Sequence, residues 1–406
     1  MKCNSKRVSA LLVLIVMIGV AISCQKKAIN DPLNNDNPGV TPQEETLTID
    51  STMTLAQINA VIASASAGQT VYASAGTYKI TGKIVMKAGV SIVKLTSVNP
   101  IFNATSLSNI LTLSYGNECD NTLFQGITFW NIRIVYTNTK NPTIKYCIFD
   151  YAKRAAGTNK TNNLKDDYVE FLSTDSSLIQ NCVFIHRSSD PGRGVWTKGS
   201  TNAQILNNTF GNGGTTGYFV CAINDNSKSN TLIDNNTLNR NPVLNAIDSL
   251  TDHGMYAHSF NGLTITNNTV SGWPANGSGG SIKARNGSNL TIASNTLNDA
   301  GILLYEYVSD TAFPFLNYAV VKDNTINIAS PVNDIYHGIG YYRDNTTDSE
   351  YSINITNNKL PNGALNITGN NLNVANFNAA GGGVFNNDVA PGYFILKAGI
   401  NNSGNY

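Results

Sequence analysis

The amino-acid sequence predicts an all-β fold, a single-domain right-handed parallel β-helix with an N-terminal capping helix, on three observations. An eight-residue phrase recurs along the chain, clearest as LTITNNTV at Leu263–Val270. Each copy begins with the apolar–polar alternation of a half-buried strand and then turns through Asn. The intervals between copies vary, as loops of different length between stacked coils require.

The copies are TLFQGITF (122–129), PTIKYCIF (142–149), SLIQNCVF (177–184), AQILNNTF (203–210), TLIDNNTL (231–238), LTITNNTV, LTIASNTL (290–297), AVVKDNTI (319–326) and INITNNKL (353–360). Their starts are 20, 35, 26, 28, 32, 27, 29 and 34 residues apart. Alternation points Leu263 and Ile265 inward, and Val270 returns to the core after a corner at Asn268. The corner place is filled in turn by Cys147, Cys182, Asn208, Asn236, Asn268, Asn295, Asn324 and Asn358. Stacked coils bring these residues into a ladder with rungs about 4.8 Å apart. Asn suits the ladder because its amide can bond to the Asn above and below and also satisfy backbone groups of the turn. Cys147 and Cys182 read as buried thiols that fill the ladder, although neighbouring-strand spacing also permits a disulfide in an exported protein. The many Asn-x-Thr triplets are a by-product of the phrase.

Composition agrees with this reading. The chain has 406 residues, 41% hydrophobic and only 13% charged, and is rich in Asn and Gly, which accept the positive φ of tight turns. A net charge of +1 excludes a strongly basic protein, so nucleic-acid binding has no compositional support. The absence of a CxxC or Cys/His cluster leaves no zinc motif, and no metal ligands are assigned.

From the N-terminus, Lys2, Lys6 and Arg7 precede the apolar run Ala10–Ile22, so residues 1–23 read as a signal peptide, the run being short for a spanning helix. Ala21-Ile22-Ser23-Cys24 resembles a bacterial lipobox, and the resemblance implies cleavage before Cys24 and lipidation of Cys24. Residues 24–46 follow as a flexible tether, and residues 47–406 form the β-helix domain. These features place the protein at the bacterial outer membrane, lipid-anchored on the cell surface or the periplasmic face. In Thr54–Ser64, Leu55, Ile58 and Ile62 share one helical face, as a helix covering the open end of the solenoid before its first strand requires. Ala65–Val93 resembles the opening coil of many carbohydrate-active β-helix proteins.

A second strand precedes each phrase: 167–172, 193–198, 221–226, 253–258, 280–285, 300–305 and 337–342. Val169, Val195, Ile223, Met255, Ile282, Ile302 and Ile339 form an apolar column that faces the core, so the neighbouring columns face out. One outward column reads Glu170, Trp196, Asn224, Tyr256, Lys283, Leu303, Gly340, and the other reads Leu172, Lys198, Asn226, His258, Arg285, Tyr305, Tyr342. His253 and His337 stand at the margin. At rung spacings of about 4.8 Å, and about 7 Å between outward neighbours on a strand, His258, Tyr256, Lys283, Arg285 and Tyr305 share one sugar-sized patch. Aromatic faces stack on sugar rings and Arg or Lys pairs a uronate carboxylate, although exposed strands also carry such residues for solubility alone. Substrate contacts are expected from Tyr256, Trp196, Lys198, Asn224, Tyr342 and His337. The insertion Asp150–Asp166 is either a solvated loop or a wall gripping acidic sugar, and Gly272–Gly279 and Tyr307–Asn317 flank the cluster.

The stretch GGSIKARNGSNLTIASNTL (279–297) resembles the catalytic coil of the chondroitinase B and alginate lyase family. The resemblance implies that Lys283 is the base removing the proton α to a uronate carboxylate. Tyr305 stands where that family has an arginine acid, and no glutamate precedes Lys283 to build the family's calcium site, so calcium is possible but has no clear ligand motif. DHGMYAHS (252–259) with GSIKAR (280–285) is similar to motifs of polygalacturonases, which need paired carboxylates. Phe219-Val220-Cys221 occupies that place here, and Glu170 lies four coils from Lys283, on the order of 19 Å away.

The expected function is therefore surface-anchored processing of an acidic, uronate-containing polysaccharide or oligosaccharide by β-elimination. Catalysis would fall to Lys283 or His258 as base, Arg285 neutralising the carboxylate and Tyr305 or Tyr256 as acid. A non-catalytic glycan-binding or structural β-helix is the alternative, and an epimerase or a glycoside hydrolase are further ones.

Overall fold

The computed structural model describes residues 46–151, 167–187, 192–242, 253–277, 280–308, 313, 315–344, 350–369 and 371–406. The signal peptide, Cys24, nearly all of the tether and most of the Asp150–Asp166 insertion lie outside them.

Each coil carries up to three strands, as in Gly192–Lys198, Gln204–Leu206 and Thr209–Phe210, and each pairs in parallel with its counterpart in the next coil. The first and second strands belong to one 23-stranded sheet and the third to a 12-stranded sheet. In two coils the first two strands run together as His253–Thr266 and Gly280–Ala293. The chain is thus the expected parallel β-helix.

The register is the one the phrase predicts. Val169, Val195, Ile223, Met255, Ile282, Ile302 and Ile339 are consecutive partners and all are buried. The phrase strands align place by place from Leu123 through Asn354. Its eighth place opens with Phe129, Phe149, Phe184 and Phe210, whose rings stack at 5.1, 5.1 and 4.4 Å.

The ladder is a continuous hydrogen-bonded column. Asn268 Oδ1 accepts from both the backbone N–H and Nδ2 of Asn236, at 2.9 and 3.0 Å, and Asn268 in turn donates both groups to Asn295 Oδ1. Asn268 Nδ2 also donates to the carbonyls of Ile233 and Thr266. The preceding place turns through the left-handed region in every copy, with φ near 56° at Asn267, which explains the preference for Asn there. Cys147 and Cys182 are buried free thiols at the ladder's start.

The ladder runs further than the repeats predict. Asn358 donates to Asn387 and Asn387 to Asn405, in coils whose phrases begin at Gly382 and Ile400. GGVFNNDV opens with two glycines and hides the strand alternation; Gly382 has no room for a Cβ, which would fall 1.9 Å from the Phe377 carbonyl. At the other end, helix Leu55–Ser64 is held by a Thr54–Gln57 capping box and buries Ile58 and Ile62. The order differs from expectation: a short strand, Thr48–Ile49, precedes the helix and pairs with Tyr72–Ala73.

Replacing Asn268 by Ala strands buried donors of Asn236 and carbonyls of two coils, and is expected to cost about 2–4 kcal/mol. The half-buried Asn298, whose amide oxygen accepts only from Asn327 Nδ2 among the described contacts, should cost about 0.5 kcal/mol or less as Ala, the difference being read in urea midpoints.

Candidate active site

Both outward columns form as expected, because once the core column is buried the pleat leaves their side chains no other direction. Tyr256 pairs with Lys283 and His258 with Arg285 on the next coil, then Lys283 with Leu303 and Arg285 with Tyr305, and Tyr305 with Tyr342. The core partners Met255, Ala257, Ile282 and Ala284 alternate with these residues and are buried.

The cluster is built from cations and ring faces. Lys283 Nζ lies 4.7 Å from the Tyr305 ring centre and 5.7 Å from that of Tyr256. The Arg285 guanidinium is 5.4 Å from Tyr256 and 5.0 Å from Tyr307. Each such contact is worth about 0.5–2 kcal/mol and holds the cation without neutralising it. Tyr256 is further framed by His258 at 5.4 Å and by the buried ring of His253 at 5.9 Å. Tyr342, the most exposed ring of the group, stacks on Tyr305 at 5.2 Å.

Two expected roles change. The Tyr305 hydroxyl donates to Asp344 Oδ2 at 2.7 Å, and burial together with that carboxylate pushes the phenol's pKa well up, so Tyr305 is a platform for Lys283 and a poor acid. His258 is oriented by Asn226. Asn226 Nδ2 donates to the His258 carbonyl at 2.8 Å, which fixes the amide's direction because a carbonyl only accepts, and the same Nδ2 is 3.1 Å from His258 Nδ1. Nδ1 of the neutral ring is therefore the acceptor and the proton sits on Nε2, so His258 offers a donor and not the base.

A loop of the next coil completes the site. Asn286 Oδ1 accepts the Tyr307 N–H at 2.6 Å, and Asn286 Nδ2 donates to the carbonyls of Tyr307 and Phe313 at 2.9 and 2.5 Å. Asp344 Oδ1 accepts the Val308 N–H at 2.8 Å. Where the loop returns, buried Glu306 accepts the Leu316 N–H at 3.1 Å and the Tyr341 hydroxyl at 2.7 Å, and pairs with Arg343 at 2.9 Å. Tyr307, Asp344, Asn226 and Asn286 were not among the expected site residues; an insertion's length marks a loop but not the partners that fasten it.

Other expected contacts lie apart from the cluster. Asn224 holds its place between Trp196 and Tyr256 but is 5% exposed, so it is covered and not a substrate contact. Trp196 lies under Arg193 at 4.7 Å and Lys198 at 5.4 Å, on the N-terminal side of the cluster. His337 bonds to Asp334 at 2.8 Å, at the margin two rungs beyond Lys283. Gly340 lies beneath Ile335, whose carbonyl would stand 2.2 Å from any Cβ there, and its column continues through Asn366. Glu170 is buried in an ion pair with Arg133; burial pushes its carboxyl up to about 7, and it lies four rungs from Lys283.

The outward neighbours of Lys283 do not fit a calcium ion: they are Tyr256 and Leu303 on the adjacent coils and Arg285 on its own strand, with no carboxylate among them. Among the described residues no group of three His, Cys, Asp or Glu side chains could hold a metal.

No protein-family model and no curated protein matches the chain. Solved structures do. A PL6 alginate lyase in complex with a trisaccharide is 12% identical with a TM-score of 0.50, covering 89% of this chain and 84% of its own. Alginate lyase AlyF-OU02 in complex with G6 is 13% identical with a TM-score of 0.47 over the same shares. The A-module of the Azotobacter vinelandii mannuronan C-5 epimerase AlgE6 is 12% identical with a TM-score of 0.44, covering 86% of this chain and 94% of its own. At these identities the likeness is one of fold, and the fold is the parallel β-helix.

The Asn226 contacts make the His258 ring a direct test of the site's geometry. Nitrogen-detected NMR of the neutral ring should show the Nε2–H tautomer, and Asn226→Ala should mix the two tautomers; an Nδ1–H ring in the unmodified protein would refute the assignment.

Proposed function

We propose that this protein cleaves a uronate-containing polysaccharide by β-elimination on the face that carries Lys283 and Arg285. The observation that carries the reading is the placement of those two cations on adjacent outward positions of one strand, about 7 Å apart, between the rings of Tyr256, Tyr305 and Tyr307.

Arg285 pairs the uronate carboxylate, with the His258 Nε2–H as a second donor, and the charge that builds on the carboxylate as the α-proton leaves is met by both. Lys283, as the free amine, removes the α-carbon proton. The electron pair forms the ring double bond and the β carbon–oxygen bond breaks. With the Tyr305 hydroxyl committed to Asp344, the Tyr256 hydroxyl supplies the proton to the leaving oxygen. The Lys283 ammonium, which lies over the Tyr256 ring, then returns a proton to that phenolate, so both groups end as they began. A lipid on Cys24 would hold this activity at the bacterial outer membrane.

The test is incubation with alginate, polygalacturonate and chondroitin, followed by the ultraviolet absorbance of unsaturated uronates and by chain length. The reading expects new absorbance that Lys283→Ala lowers by about 10²–10⁴-fold, and that Tyr305→Phe leaves within about tenfold of the parent. Inversion of sugar configuration without cleavage would replace the lyase by an epimerase. No change in any polymer would leave a binding protein.

A further inference from the structure

A cavity of 430 Å³ opens at the corner where the face turns into the phrase strands, on the N-terminal side of His258. Lys198 and Lys228 stand in its wall, Ser227, Ser259 and Asn226 supply hydroxyl and amide groups, and Phe313 faces them from the loop that carries Tyr307. None of its described lining residues is acidic.

The corner is built rather than loose. Asp225, buried directly beneath it, accepts from the Ser227 hydroxyl at 2.6 Å, the Thr231 hydroxyl at 3.1 Å and the Thr197 hydroxyl. The Lys228 N–H donates to the Ser200 carbonyl at 2.7 Å, and the Ser200 hydroxyl donates to the Phe171 carbonyl at 2.9 Å. Asn286 fixes the Phe313 carbonyl opposite. The corner backbone that carries the two lysines is already formed, so a ligand binding there does not first have to order it. The two sites are physically joined: Asn226 lines the cavity and also bonds His258, and one loop delivers Phe313 to the cavity and Tyr307 to Arg285.

From this geometry we infer that the corner cavity is a second anionic-sugar subsite, holding a uronate unit further along the polymer than the one at Lys283 and Arg285, since Lys198 lies three rungs, about 14 Å, from Arg285 and beyond the reach of a disaccharide. Its carboxylate lies between Lys198 and Lys228, its hydroxyls meet Ser259 and Asn226, and its ring rests on Phe313. A cavity of this volume is in the range of small-ligand pockets, roughly 300–1,000 Å³, and admits a sugar unit with its solvent. The inference rests on the proposal that this face takes acidic polysaccharide, and it adds where the chain runs: from the cluster toward the corner and the N-terminal coils.

The experiment is calorimetric titration of the full chain carrying Lys283→Ala, to prevent turnover, with uronate di-, tetra- and hexasaccharides of the polymer that binds most tightly. Tetrasaccharide should bind about tenfold or more tightly than disaccharide, and Lys228→Ala with Phe313→Ala should remove that gain while leaving disaccharide affinity and the thermal midpoint unchanged. Carboxyl-reduced tetrasaccharide should lose the gain as well. A gain that survives in the double variant, or in the carboxyl-reduced sugar, would overturn the subsite. Turnover by the parent protein reads the lyase proposal separately, so an active enzyme with no length dependence at the corner sinks only the subsite. An inactive protein that keeps the length dependence sinks only the lyase.

Discussion

The asparagine ladder is the constraint on which the rest of the structure depends. An Asn at the inward corner ties each coil to the next through its own backbone N–H, its amide nitrogen and its amide oxygen. A corner satisfied in that way admits one register, because a slip of one residue would bury unpaired amides and turn the core column outward. With the register set, the strand before each phrase is placed too. Tyr256 and His258 then fall beside Lys283 and Arg285, although 27 residues separate the paired positions.

On that platform the charge arrangement is unusual for a protein whose acidic and basic residues nearly balance overall. The cations of the cluster rest on tyrosine rings, while Asp344 and Glu306 are engaged in fastening the loop. Asp344 holds the Tyr305 hydroxyl and the Val308 N–H, and Glu306 holds the loop's return and Arg343. The carboxylates thus fasten the walls, and Lys283 and Arg285 stay half-exposed toward the groove.

The fold and the columns were legible in the sequence because both are periodic: alternation assigns faces and the recurring Asn assigns register. The same regularity located Lys283, Arg285, Tyr256, His258 and Tyr305 together. What was not legible depends on side chains that obey no period. Asp344 reaches Tyr305 from 39 residues away, and Asn226 selects the His258 tautomer through an amide whose direction only the three-dimensional contacts reveal. Asn224 sits in an outward column yet is covered, since facing outward in a pleat does not secure exposure when large rings stand on both neighbouring rungs. The Asn387 rung escaped because a glycine pair, Gly382 being required by a close backbone approach, replaced the apolar opening of its phrase.

The central claim, that the ladder-set face at Lys283 and Arg285 receives a uronate chain, is tested most directly by a crystal structure of the Lys283→Ala protein soaked with a uronate tetrasaccharide. The account predicts a sugar carboxylate within hydrogen-bonding distance of Arg285 and the His258 Nε2–H, with its ring between Tyr256 and Tyr305. Oligosaccharide bound to another face of the solenoid, with this one empty, would contradict it.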